Sequence, residues 1–255
     1  MNVVLNADDF GLSPDVNRAI LICFEQRLIS SATIMPNMPA FEDAVRLSFA
    51  NDFVDRIGVH LNLTAGTPLT DPIRQCPAFC TPAGEFRRRR HYLITPSQRR
   101  LLSNEVRAQI QRCRDVGLPV THLDSHHHSH TEPGKFAAIR PVLEEMKIQS
   151  VRLSRNVDPL PRHSPRAVWK SVFNSQLRKR NWQSVDYFGC VGSFRRLLAA
   201  GRIDNRSIEV ECHPGFDSRG RLVDLVEGID FRSGFRHVID RIDQGLVVNG
   251  VARAA

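Results

Sequence analysis

The sequence predicts an α/β fold built on parallel strands, and three observations carry that prediction. Short apolar runs such as residues 3–7 lack polar alternation, as expected of strands buried on both faces. These runs alternate along the chain with segments whose apolar residues recur at helical spacing. Several of them end in ionisable residues followed by Gly, Ser or Thr. Repeated βα units imply right-handed crossovers and a parallel sheet, either closed as a barrel or open.

Residues 3–7 read as the first strand. A helix follows, with Ser13 as N-cap, Pro14 at the first helical position, and Val16, Ala19, Ile20 and Cys23 on one face. Residues 31–35 read as a strand and residues 40–49 as a helix with Phe41, Ala44, Val45 and Phe49 on one face. Residues 56–63 are the third strand. Residues 64–96 carry Gly66, Pro68, Pro72, Pro77, Pro82 and Gly84 with little periodicity, and so long an irregular insertion is usually functional or mobile. A helix over 97–116 presents Leu101, Leu102, Val106, Ile110 and Cys113, with Gly117 closing it and Pro119 beyond. Residues 122–130 are expected to run extended, followed by a helix over 135–146 and a strand at 150–153. A second irregular stretch, 155–190, holds a helix near 167–177, and a strand at 207–212 and a helix over 231–244 complete the pattern. With no repeat or linker to divide it, the chain is expected to form a single domain over 1–255, with insertions near 66–96 and 155–190.

At 255 residues, 42% hydrophobic and 24% charged, the composition is that of an ordinary soluble globular protein. No apolar run reaches the length of a membrane span, and the first strand follows no charged-then-apolar leader, so a cytoplasmic location is expected. The six cysteines are scattered and expected to be reduced, and Cys76 and Cys80 lack the second pair that a structural zinc site needs. Much of the net charge of +8 sits in Arg87 to Arg90 with His91 and in Arg178-Lys179-Arg180. Such clusters concentrate anionic partners, or else simply form solvated loops. Aromatics at 7% and the lack of a reading-helix motif argue against a nucleic-acid partner.

The most informative segment is Thr121-His-Leu-Asp-Ser-His-His-His-Ser-His130. In an extended strand His122, Asp124, His126, His128 and His130 share one face. As core packing, each would need a buried partner, so the run is a candidate metal or acid–base centre. One ion cannot take all five, because ligand bonds are about 2 Å long whereas alternate residues sit roughly 6.6 Å apart. Three further strands end alike: Leu5-Asn-Ala-Asp-Asp-Phe-Gly11, Ile57-Gly-Val-His-Leu-Asn-Leu-Thr64 and Val210-Glu-Cys-His-Pro-Gly215. In parallel α/β proteins the carboxyl ends of strands share one rim. Asp8, Asp9, His60, His126 and His213 are therefore expected to converge. Singly, each has a plainer reading: turn and cap chemistry for Asp8-Asp9, a rim histidine for His60, a turn for His213.

Together with Gly66-Thr-Pro-Leu69, these segments, in this order, resemble the YdjC-like family of carbohydrate deacetylases, which includes chitooligosaccharide and hopanoid-associated members. The resemblance runs from the first strand to His213, and is weakest over 70–95 and 155–205. It implies a distorted (βα) TIM-like barrel of the glycoside hydrolase/deacetylase type and removal of N-acetyl groups from amino sugars. Carried over by motif, His60, His126 and Asp9 are implied metal ligands and Asp8 the general base, though spacing alone leaves the two aspartates interchangeable. His213 is the implied late histidine, and an acid role is inferred for it. Asp124 and His128 orient ligands, meet substrate or are structural. The family implies Mg2+, whereas two imidazoles favour Zn2+ as the alternative.

These residues describe metal-assisted hydrolysis of an acetamide, with a carboxylate taking the water proton and an acid protonating the amine. The irregular segment 66–96 is expected to cover the sugar, its arginines near any anionic group. An N-acetylated sugar is the expected partner, with peripheral contact to a lipid-linked substrate and a homodimer as further family-based expectations. The rival readings are a hydrolase of another amide or a phosphoester, and a basic, non-catalytic binding protein.

Overall fold

The structure, a computed structural model, describes residues 2–157, 164–182, 185–201 and 206–242. Its centre is a six-stranded parallel sheet formed by β1 (Asn2–Phe10), β2 (Ser31–Ile34), β3 (Ile57–Leu61), β4 (Leu123–Ser125), β5 (Tyr187–Cys190) and β6 (Ser207–Cys212), in the order β4-β3-β2-β1-β6-β5. A small antiparallel sheet, β7 (Pro214–Phe216), β8 (Leu222–Asp224) and β9 (Ile229–Asp230), follows β6.

Laid flat, the six strands would span about 24 Å, at about 4.8 Å per step. The two edges instead meet across one short segment. Leu123 of β4 bonds to Ser150 and Arg152, Val151 N–H donates to the Trp182 carbonyl, and Asn156 N–H donates to Phe188 of β5. The sheet is therefore curled into a half-barrel whose edges residues 150–156 bridge, as the expected distorted barrel requires. The strand expected at 150–153 is reduced to a single bridge at Val151.

Helices surround the sheet: α1 (Pro14–Glu25), α2 (Phe41–Ala50), α4 (Pro96–Asp115), α5 (Pro133–Glu145), α6 (Pro165–Lys179), α7 (Val191–Ala199) and α8 (Phe231–Ile239), with a one-turn α3 (Asp71–Arg74) in the irregular insertion. Ser13 caps α1 ahead of Pro14, and Gly117 follows α4 with φ of 85°, both as the sequence indicates. The helix expected over 231–244 ends at Ile239, and residues 243 and 244 lie outside the described residues. Tyr187–Cys190 and α7 emerge from and beyond the stretch expected to be irregular.

Strand alternation divides the sheet into two chemistries. From β1, Val3, Leu5 and Ala7 enter the apolar core, while Asn6 and Asp8 enter a buried polar network. Ser31 and Thr33 of β2, His60 of β3 and Asp124 of β4 join that network, as does His122 just before β4. The Asn6 amide group touches Asp8, Thr33, Ser31 and His122 at 2.6–3.2 Å. Gly58 provides the space for His122: a Cβ there would lie 2.6 Å from both the His122 ring and its carbonyl. Gly58→Ala is expected to destabilise the fold by about 1–3 kcal/mol, the usual cost of overpacking. Thermal melts check this, and an unchanged midpoint would contradict the assignment.

Candidate active site

Strand register brings the rim residues level. Ala7 pairs with Cys212, so Asp8 and His213 follow side by side, and His60 pairs with Asp124. The β1–β2 register shifts between Ala7 and Phe10, and Asp9 within this bulge has φ of 67°. An aspartate tolerates that left-handed geometry, which lets adjacent carboxylates serve one site where regular alternation would separate them.

Asp9, His60 and His126 meet. Asp9 Oδ1 lies 3.1 Å from His60 Nε2 and 2.8 Å from His126 Nδ1, and the three candidate ligand atoms are within 4.8 Å of one another. One carboxylate and two imidazoles form a plausible donor set for a divalent cation, with protein ligands too few to close the coordination shell. Burial alone would raise the Asp9 carboxyl, but hydrogen bonds from His126 and His60 hold it well below its usual range. Behind His60, Asp124 Oδ1 lies 2.7 Å from Nδ1, the carboxylate–histidine arrangement that fixes a ligand ring and its tautomer.

Asp8, His60 and Asp124 also offer ligand atoms within 4.8 Å of one another, but the two carboxylates have other duties. Arg152 grips both Asp8 oxygens, at 2.6 and 2.7 Å. The same guanidinium lies 2.6 Å from Asp124 Oδ2 and donates to Glu209 Oε1 at 2.6 Å. Burial would raise the Asp8 carboxyl, yet Arg152, with His60 and His213 beyond it, holds it well below the usual range. His213 Nε2 is 4.0 Å from Asp8 Oδ2, and its backbone N–H is held by Asp224 at 2.7 Å.

The His-rich run corrects the expectation of one extended face. β4 stops at Ser125, and His126–Thr131 form a kinked 3₁₀ segment in which His127 and His128 both have φ of 54°. The histidines consequently disperse. His122, 2.8 Å from Thr121 and 3.0 Å from Asn6, is buried, and burial lowers its pKa to about 4. His130, between Ser125 and the Arg152 carbonyl, is likewise structural, its pKa lowered by burial to about 3. Both have the buried partners that a packing role needs. His128 does not join Asp9; it lies 3.4 Å from Glu211 Oε2 and packs edge-on to Phe188. His127 lies 3.0 Å from Thr64.

A cavity of about 620 Å³ adjoins this turn, lined by His127 and His128 together with Tyr92, Trp169 and several basic residues. The sequence reading missed Arg152, Glu209 and Glu211. The available signals were an arginine inside the apolar run Val151-Arg-Leu153 and two glutamates alternating along β6. Arg155 pairs with Glu211. All six cysteines are free thiols, and no cysteine belongs to a candidate metal cluster among the described residues.

The fold and cluster define an α/β barrel-type protein with a candidate metal centre at the carboxyl rim of its strands. The chain belongs to the YdjC-like protein family, whose model matches residues 2–236. A carbohydrate deacetylase from Geobacillus stearothermophilus is 34% identical over 215 residues, covering 84% of this chain and 79% of that protein. One from Halalkalibacterium halodurans is 34% identical over 226 residues, covering 85% and 86%. One from Vibrio campbellii is 39% identical over 150 residues, spanning 58% of this chain and 57% of its own length. An Enterococcus faecalis V583 protein named for cellobiose-phosphate cleavage superposes with a TM-score of 0.66, covering 94% of this chain and 90% of that one. At 21% identity that likeness is one of fold.

Two predictions follow from the ionic network. Arg152→Met leaves buried carboxylates without their cation and is expected to cost about 3–5 kcal/mol, read by denaturant unfolding. Glu209 is pushed by burial from its ordinary 4.5 up to about 7, against the pull of Arg152. Its folded form therefore keeps a proton that the unfolded chain has released, so this group's contribution to stability declines as pH rises from 4.5 through about 7. In chelator-treated protein, Glu209→Gln should narrow the difference in melting temperature between about pH 5 and pH 8. An unaltered difference would contradict it.

Proposed function

We propose that this protein is a metal-dependent hydrolase that removes an N-acetyl group from an amino sugar. The carrying observation is the meeting of Asp9, His60 and His126 at the rim, beside a cavity with the aromatic residues Trp169 and Tyr92 in its lining. The relatives' name, carbohydrate deacetylase, supports the choice of substrate. Asp9, His60 and His126 would hold the cation, which when bound acidifies water and polarises the acetamide carbonyl. Mg2+ is the choice by family resemblance and Zn2+ the choice by ligand softness.

The remaining roles belong to the chain's own groups. Asp124 orients His60. Asp8, kept ionised by Arg152, accepts the proton of the attacking water. The Arg152 pairing makes Asp8 a weak base, so it suits a water that is already acidic. As water oxygen bonds to the carbonyl carbon, the carbon–nitrogen bond must break, and His213 protonates the departing amine, leaving acetate. Both Asp8 oxygens are taken by Arg152, which supports Asp9 as the ligand and Asp8 as the base. His128, dispersed to Glu211 and the cavity, is assigned to substrate contact.

This reading treats residues 1–255 as one catalytic domain, keeps the cytoplasmic location expected from the sequence, and brings with it the homodimer and the contact with lipid-linked substrate that the resemblance implies. No helix among the described residues is long and apolar enough to cross a membrane. The test is acetate release from a panel of N-acetylated saccharides, with chelator and with added Mg2+ or Zn2+, alongside phosphate detection on phosphoesters. Asp8→Asn and His126→Ala are each expected to lower acetate release by at least about 10²-fold with unchanged circular dichroism. Full activity in either variant, or activity indifferent to chelator, would overturn the assignment.

A further inference from the structure

The two imidazoles flanking Asp8 are held in different ways. The His60 ring is fixed by the Asp124 carboxylate, 2.7 Å from Nδ1. The His213 ring makes no hydrogen bond to any described residue, and its Nε2 stands 4.0 Å from Asp8 Oδ2. Whatever aims this ring therefore acts through its backbone.

That backbone lies in a gap between two sheets. The β1–β6 ladder ends at the pair Ala7 and Cys212, and the β7–β8 ladder begins with Pro214 opposite Asp224. The His213 N–H falls outside both ladders and needs another acceptor. Asp224 Oδ2 takes it at 2.7 Å, and Leu225 N–H donates to the His213 carbonyl at 2.8 Å. The Asp224 side chain is buried, and its other oxygen accepts from the N–H groups of Val226 and Glu227, at 2.9 and 2.7 Å. Those two bonds are ordinary turn chemistry, which one oxygen satisfies. The second oxygen, turned across to His213, is not required by the turn.

The rest of the hairpin holds Asp224 steady. Pro214 biases His213 towards extended backbone. A Cβ on Gly215 would lie 2.5 Å from Leu225 Cδ1, so the close seat of Leu225 depends on glycine. Phe216 lies under the Arg18 guanidinium of α1, 5.6 Å from ring centre to carbon.

We infer that Asp224 is the positioning residue for His213, fixing the backbone from which the imidazole reaches the bond that breaks. The catalytic half of this statement rests on the deacetylase reading, with His213 as the acid. As the carbon–nitrogen bond breaks, its electron pair goes to nitrogen, which takes a proton from the imidazolium and leaves a neutral ring. Asp224 touches neither substrate nor metal, and acts only by where it holds the acid.

Asp224→Asn tests this selectively. Its one carbonyl oxygen suits the side facing two N–H groups, and its amide group then meets the His213 N–H donor to donor. On the N-acetylated saccharide that wild type cleaves fastest, kcat is expected to fall about tenfold or more with KM within about threefold. In a His213→Ala background the same substitution should cost nothing further, because the residue it positions is gone. Asp217→Asn perturbs the far end of the same hairpin, where Asp217 accepts from the N–H groups of Arg219 and Arg221, and should leave kcat unchanged. Hydrogen exchange of the His213 amide should quicken about tenfold or more in Asp224→Asn while Val226 and Glu227 stay protected. Unchanged kcat, a loss repeated in the His213→Ala background, an equal loss in Asp217→Asn, or wild-type exchange at His213 would each overturn the proposal. If wild-type protein releases acetate from no sugar, the deacetylase reading fails, and the exchange measurement alone decides whether Asp224 holds the His213 backbone.

Discussion

A single buried guanidinium holds this half-barrel together. Arg152 stands on the segment that bridges the sheet's two edges, where the backbone ladder thins to isolated bonds. Its side chain reaches Asp8 on β1, Asp124 on β4 and Glu209 on β6. Three strands are thus tied to the bridge by charge where hydrogen-bonded backbone is sparse. Without the cation, three carboxylates in one dry interior would repel and take up protons. Removing several charges from water is costly, and such a cluster is weak evidence for stability as such. Its presence fits the proposed role of Asp8 at the rim.

The same guanidinium sets two parts of the site. Through Asp124, also bonded by Thr33 at 3.1 Å, it fixes His60 and so the side of that ring that faces Asp9. Directly, it keeps Asp8 ionised and aligned beside His213. The proposed ligand set and the proposed base therefore share one positional reference. A displacement of Arg152 would disturb both, and the resulting losses would not add as independent ones do.

The strand ends were legible because local chemistry declares them: an apolar run, a carboxylate or imidazole, then a turn residue. That the strand ends carrying Asp8, Asp9, His60, His126 and His213 converge followed from the parallel topology, whereas Asp9, His60 and His126 were singled out as ligands by the family resemblance. The extended reading of 122–130 failed because alternation is only one way to place histidines together. Two consecutive left-handed non-glycine residues, His127 and His128, have no local sequence signature. Arg152 lay hidden for a different reason. Its three partners are 144, 28 and 57 positions away in sequence, and only the closed sheet brings them near. The β5–α7 unit was obscured by its short apolar run, Tyr187-Phe-Gly-Cys190, inside a stretch otherwise lacking periodicity.

The kink at His127 and His128 has a purpose that a straight strand could not serve. Continued extension would alternate successive imidazoles between faces and carry them away from the rim. Turning at once lets three consecutive rings take three duties: His126 meets Asp9, His127 meets Thr64 at the cavity wall, and His128 meets Glu211. Left-handed geometry at two histidines costs about 1–3 kcal/mol each, and the surroundings must impose it. Ser125 does so from one end, its hydroxyl accepting from His130 N–H at 2.8 Å, and Thr131 from the other, donating to the His128 carbonyl at 2.9 Å. The turn is thus the physical joint between the candidate metal centre and the neighbouring cavity.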